Sequence, residues 1–220
     1  SLRVNLGFFP EASIYFAPCI FAFCSIGVIY GSLAAIRQID LKRIVAYSSV
    51  AHMNLIVIGI FSFNFIAIEG VLLQSISHGF VASAYGSRSI FYFSGLVHVM
   101  PLFSFYFLFF TMSNIALPGT SSFVGELLIL LGCFMTNSFI IFIVVCSVVL
   151  GGSYSLWLAN RILFGNIKYY YSYKFFDLTV KEFFILFNLA FFVFLFGIFP
   201  FFFLQYIHKS VIFYILCFLI

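Results

Sequence analysis

Residues 114–130 read "NIALPGTSSFVGELLIL". This segment continues the apolar run "FLFFTMSNIAL" over 107–117, which alone reads as membrane helix. Pro118 cannot donate a backbone hydrogen bond and its ring clashes with the preceding turn, so the arriving helix should stop near Leu117. Gly119 lets the chain turn, and Ser121 or Ser122 can cap a second half-helix beginning near Phe123. Unwound backbone at membrane depth is tolerated only inside protein or beside water. Residues 117–122 should therefore line a buried polar site. Glu126 follows about one turn into the second half-helix, where a charge costs ~2.5–3.5 kcal/mol and usually serves function. Burial disfavours its charged form, and the positive end of the half-helix favours it. A cation arriving at roughly 7 Å, at an effective dielectric near 20, contributes about 2.4 kcal/mol, enough to tip that balance.

Composition supplies the solvent for this segment. The 220 residues are 65% hydrophobic and 7% charged, with a mean hydropathy of +1.22. A soluble domain has about a quarter of its residues charged, so lipid must be the solvent here. Ten Lys and Arg, scattered along the chain, make no nucleic-acid groove. Cys19, Cys24, Cys133, Cys146 and Cys217 sit in apolar runs without CxxC or His at ligand spacing, and read as inert buried thiols. No metal cluster, nucleophile–base pair or phosphate loop is visible.

A membrane helix needs about 20 mostly apolar residues. Such spans fall near 14–36, 44–66, 70–86, 102–134 (interrupted), 139–164 and 183–204. The segment 211–220 is too short to cross and is expected at the interface. This predicts an all-α polytopic membrane protein with about six transmembrane helices, one of them discontinuous near Pro118. Arg37, Lys42, Arg43, Arg88, Arg161, Lys168, Lys174 and Lys181 collect at one set of span ends; Arg3 and Lys209 fall towards the other. By the positive-inside rule, 37–43 and 165–182 face the cytoplasm or matrix and both termini the opposite side. Gly27 and Gly31 in "GVIYG" have the spacing for close helix packing.

Two histidines sit within spans. In "LKRIVAYSSVAHM", Lys42, Ser49 and His52 recur on one helical face; in "LLQSISHGFVAS", Gln74 and His78 are four apart with Ser75 beside them. Both patterns predict polar stripes turned to the bundle interior, and imidazole suits proton passage near neutral pH.

The stretches "RQIDLKRIVAYSSVAHMN", "SISHGFVASA", "NIALPGTSSFVGELLIL" and "YSLWLANRI" together resemble the antiporter-like, proton-pumping membrane subunits of mitochondrial NADH:ubiquinone oxidoreductase (respiratory complex I), of the chain 4 type. The resemblance covers almost the whole chain but only the C-terminal part of the family's fourteen helices, which contain two inverted repeats. It implies that 102–134 is the second broken helix, with the break at Pro118 and Gly119, and that Glu126 is the exit-side glutamate. His78 matches the histidine of the central hydrophilic axis, and Lys42 and His52 match polar positions on the helix before it. After "SHGFVASA" the chain is shorter than the family pattern, since Tyr85–Gly86 leads directly into "SRSIFYFSGL".

The resemblance further implies a part in the proton-translocating membrane arm, supplying the exit-side half of a proton channel in the mitochondrial inner membrane. The chain itself would do no covalent chemistry and bind no cofactor; NADH, FMN, iron–sulfur clusters and quinone belong to other subunits. Its partners would be other membrane-arm subunits, lipids, and a separate chain or N-terminal portion that carries the first eight helices. Two alternatives stand beside this one: a subunit of a multisubunit cation/proton antiporter, and a scaffold of the membrane arm that transports nothing.

Overall fold

A computed structural model describes residues 8–83, 95–166 and 177–219. The described residues form nine helices and no strand. They are α1 (Pro10–Arg37), α2 (Leu41–Phe61), α3 (Phe65–Ser83), the single turn α4 (Leu96–Val99), α5 (Pro101–Asn114), α6 (Ser121–Phe134), α7 (Ser138–Leu163), α8 (Val180–Ile198) and α9 (Pro200–Leu219). Arg3, Arg88, Lys168, Lys174 and the short connection at Tyr85–Gly86 lie outside the described residues.

α1, α2, α7 and α8 are long and apolar enough to cross a membrane, and α3 and α6 are shorter apolar helices. Their outer faces carry large exposed apolar side chains, among them Tyr15 and Phe23 on α1, Phe139 and Phe142 on α7, and Phe184 and Phe191 on α8. Such faces are stable only against lipid, and the chain is a multi-pass membrane protein.

Two boundaries differ from the sequence reading. The turn expected at 67–69 lies at 62–64, because Asn64 accepts from the Ile66 amide (3.2 Å) and Phe63 takes a left-handed φ of 53°. The Asn64 amide also donates to the Gly132 carbonyl (3.0 Å), tying this turn to the end of α6. Glu69 is consequently a helical residue inside the bundle. The span expected over 183–204 ends at Ile198, and Pro200 opens a new helix at the position where its missing N–H is harmless. Residues 211–219 are the continuation of that helix, α9, which packs against α3, and not a separate short tail.

With little hydrophobic drive between helices in lipid, close backbone approach has to hold the bundle. Gly31 lets α1 meet the backbone of α2 at Tyr47 and Ala51, as its spacing predicts. The tighter crossing joins α3 to α6. A Cβ on Gly125 would lie 2.9 Å from the Gln74 amide nitrogen, one on Gly70 2.7 Å from that of Ile129, and one on Gly132 2.5 Å from that of Ala67. These three contacts define an antiparallel register, with 74 opposite 125, 70 opposite 129 and 67 opposite 132. A buried cluster including Val28, Leu55, Ile58, Val71, Ile129 and Val144 fills the space between α1, α2, α3, α6 and α7.

The helix directions bring Arg37, Lys42, Arg43, Arg161 and Lys181 to one end of the bundle. At that same end Asp177, just ahead of α8, accepts from the free amides of Leu102 (3.1 Å) and Phe103 (3.2 Å). It therefore caps α5 from 74 residues away, a link that no local sequence signal announces.

A broken helix carrying a buried carboxylate

α5 and α6 are the two halves of the interrupted helix. α5 stops at Asn114, earlier than Leu117, because a capping turn ends it before Pro118 can. The Leu117 amide reaches back to the Met112 carbonyl (3.3 Å) and the Ala116 amide to that of Ser113 (3.1 Å). That is a Schellman closure, with Ala116 in the left-handed position that glycine usually takes, φ 59°. Gly119 turns the chain at φ 97°, and α6 begins at Ser121, two residues sooner than Phe123. Thr120 occupies the N-cap position but donates its hydroxyl to the Leu117 carbonyl (2.7 Å). Neither serine caps α6: Ser122 donates to the Ser113 carbonyl, and the buried Ser121 hydroxyl has no partner among the described residues. The hydroxyls satisfy carbonyls that the break sets free.

The left-handed alanine gives a direct test. An L-residue there costs roughly 1–2 kcal/mol, more if β-branched. Ala116→Gly should keep or raise the thermal inactivation midpoint of the assembled protein, and Ala116→Val should lower it; equal midpoints for both would contradict this turn.

Glu126 lies about one and a half turns into α6, beyond the single turn expected. The helix-end field fades within the first turn, so side chains and not the dipole hold this carboxylate. It is only 5% exposed. Its Oε1 receives two groups, Nδ1 of His52 from α2 (3.1 Å) and Nε2 of Gln74 from α3 (3.1 Å). The His78 ring lies 5.3 Å from that of His52, centroid to centroid. Asn114, the last residue of α5, makes polar contact with both His52 and Tyr154 of α7. Glu126 also borders two cavities. One, of about 30 Å³, lies among His52, Asn114, Ser147 and Tyr154 and has room for one or two waters. The other, about 360 Å³, is apolar and runs along α6 and α7 past Leu127, Leu130 and Phe134.

Of the residues singled out in sequence, the fold joins Glu126, His52 and His78 beside the break at Pro118–Gly119. Lys42 is not among them. It is exposed in the first turn of α2, ten residues and thus about 15 Å of helix from His52. Ser49 donates to the Ala46 carbonyl within its own helix. On α3 the exposed Ser75 yields to the buried Ser77, which donates to the Gln74 carbonyl (3.1 Å). Gln74, Asn114 and Tyr154 belong to the site as well. Gln74 belongs to the polar stripe read on α3 from the sequence, whereas Asn114 and Tyr154 fall inside quoted motif stretches and only the three-dimensional packing singles them out. Among the described residues no group of three His, Cys, Asp or Glu could hold a metal ion.

A helical membrane bundle with a broken helix and a buried carboxylate paired to imidazole is the architecture of an antiporter-like membrane subunit. The sequence pattern of the family described as NADH:quinone oxidoreductase/Mrp antiporter, transmembrane, matches residues 2–151, and the chain belongs to that family. It is 48% identical over 220 residues to NADH-ubiquinone oxidoreductase chain 4 of Chondrus crispus, covering 95% of this chain and 45% of that one. The chain 4 of Marchantia polymorpha is likewise 48% identical, over 96% of this chain and 45% of its own length. This chain thus spans about half the length of the curated relatives it matches. Among solved structures, a chain of respiratory complex I from Thermus thermophilus superposes with a TM-score of 0.87 at 21% identity, over 97% of this chain and 47% of that one. A chain of the Mrp complex from Dietzia sp. DQ12-45-1b gives 0.83 at 16%, over 96% and 49%. At these identities the two structures speak for the fold alone.

Proposed function

We propose that this chain is the exit-side part of a chain 4 type subunit in the proton-translocating membrane arm of NADH:ubiquinone oxidoreductase. The observation that carries the reading is Glu126 held beside the helix break by His52 at 3.1 Å, with His78 next in line. A proton on His52 Nδ1 is one hydrogen bond from Glu126 Oε1, and a water or a small ring rotation connects His52 to His78. The adjoining 30 Å³ cavity can hold the water such a relay needs. When the proton moves from imidazolium to carboxylate, both groups become neutral, so the transfer proceeds at low cost in a poorly solvated site. Pro118 and Gly119 act by opening the helix; they carry no proton. Lys42 serves from the bundle end, outside the central relay.

Electron transfer, and the NADH, FMN, iron–sulfur and quinone chemistry behind it, would lie on other subunits, with charge rearrangement along buried groups driving protons through this one. The location that follows is the mitochondrial inner membrane, the basic end at the matrix. The fold shared with the Mrp chain keeps a cation/proton antiporter as the second reading. The 48% identities to chain 4 proteins favour the first. On a native gel this chain is expected to migrate in a large membrane complex with in-gel NADH dehydrogenase activity. Recovery as a stable species away from that activity would refute the assignment.

A further inference from the structure

A second acid–base pair lies one turn from the start of α3. Glu69 is 8% exposed, and its Oε1 meets Nδ1 of His208, on α9, at 2.7 Å. The imidazole is half exposed and stands edge-on to the Phe65 ring, 4.6 Å between centroids. One end of the pair is thus buried in the bundle and the other is open. If the pair only held α9 to α3, apolar side chains would do so without the cost of withdrawing charge from water. An ionisable side chain withdrawn from water within a membrane-spanning helix is costly and usually kept for transport.

The α3–α6 register places Glu69 opposite residue 130, four residues from Glu126, about 6 Å along the helix axis. Gln74, whose amide grips Glu126, stands on α3 level with residue 125, on the side of Glu126 away from Glu69. The step from Glu126 to Glu69 leads towards the turns at 62–64 and 135–137, away from Arg37, Lys42 and Arg43. The other titratable groups on the helices packed against α3 are His52, Tyr47, Lys42 and Arg43 (α2), Tyr106 (α5), Glu126 and Cys133 (α6), Lys181 and Glu182 (α8) and, on α9, Tyr206, Lys209, Tyr214 and Cys217 besides His208. Among the described residues, His208 alone forms an ion pair with Glu69.

We propose that Glu69 and His208 are the proton-release pair of this subunit, an inference that rests on the proton-translocating reading above. A proton leaving Glu126 passes to the Glu69 carboxylate, leaving Glu126 ionised. Glu69 hands it to Nδ1 of His208, forming imidazolium, and the imidazolium loses its other ring proton to water at the open end.

The test compares Glu69→Gln, His208→Gln and Glu126→Gln in the intact complex, reconstituted into vesicles. Assembly, proton-to-electron ratio and the dependence of pumping on pH at the release face are measured. Glu69→Gln and His208→Gln each keep a hydrogen-bonding side chain, so they should assemble, pump several-fold more slowly and lose the wild-type dependence on release-side pH. The double variant should be no worse than the poorer single one, because both groups lie on one path. If either single variant assembles and pumps with the wild-type rate and pH profile while Glu126→Gln is impaired, the release pair is refuted and the central relay stands. If Glu126→Gln is also unimpaired, the parent reading fails with it. Loss of assembly in both single variants would make the pair a structural clasp and overturn the proposal.

Discussion

Replacing Glu126 by Gln is expected to leave an assembled complex in which proton flux through this subunit falls by roughly a hundredfold, the lower end of what a positioned proton-transfer group contributes. The amide keeps the size of the side chain, and its oxygen can still accept from Gln74 Nε2, now 3.1 Å from the carboxylate. What it loses is the exchangeable proton opposite His52. On the proposed function, in which transport is coupled to electron transfer, NADH oxidation should slow as well. Glu126→Asp should retain part of the activity, since the charge remains but sits one methylene short of its 3.1 Å contacts. Proton uptake by reconstituted vesicles, normalised to complex content on a native gel, is the measurement. A Gln variant that pumps at the wild-type ratio and rate would make Glu126 structural.

The second large effect is expected at Gly125, whose substitution should damage assembly before transport. A Cβ there would come within 3.0 Å of the Gln74 Cα and 2.9 Å of its amide nitrogen, and backbone cannot swing aside as a side-chain tip can. Overpacking costs about 1–3 kcal/mol even where side chains give way. Gly125→Val should therefore strip α6 from α3 and leave little assembled complex on a native gel. Gly125→Ala should assemble in part, with a lowered inactivation temperature and weakened pumping, since parting the helices lengthens the Gln74–Glu126 contact. Normal assembly of the valine variant would show that the two helices do not cross here.

The solvent, the helical class and the interruption at Pro118 could be read because composition, span length and a missing N–H each act locally. Glu126, His52 and His78 were legible because polar groups in apolar runs are costly wherever they sit. The end of α5 was misjudged by three residues, since the Schellman turn uses Ala116, a residue that gives no warning of a left-handed conformation. Glu69 falls in the expected 67–69 turn because phenylalanines flank Asn64 on both sides, and the turn comes first through the left-handed Phe63 and the Asn64 bonds to Ile66 and Gly132. The partners of Glu69, Asp177 and Gly125 lie 139, 74 or more and 51 positions away, and long-range pairings of this kind leave no periodic trace.

Both ends of α5 are fixed by the same neighbour. Asp177 grips its first amides where α8 begins. At the far end of α8, Gly197 presses on the break so closely that a Cβ would run into the Gly119 carbonyl oxygen. α8 thereby works as a splint. Twenty residues separate the two points of attachment, of which 180–197 are helical and span about 27 Å, and that length dictates how deep in the bilayer the half-helix comes to its stop. The depth at which Glu126 meets His52 is thus gauged by a helix that contributes no side chain to either of them.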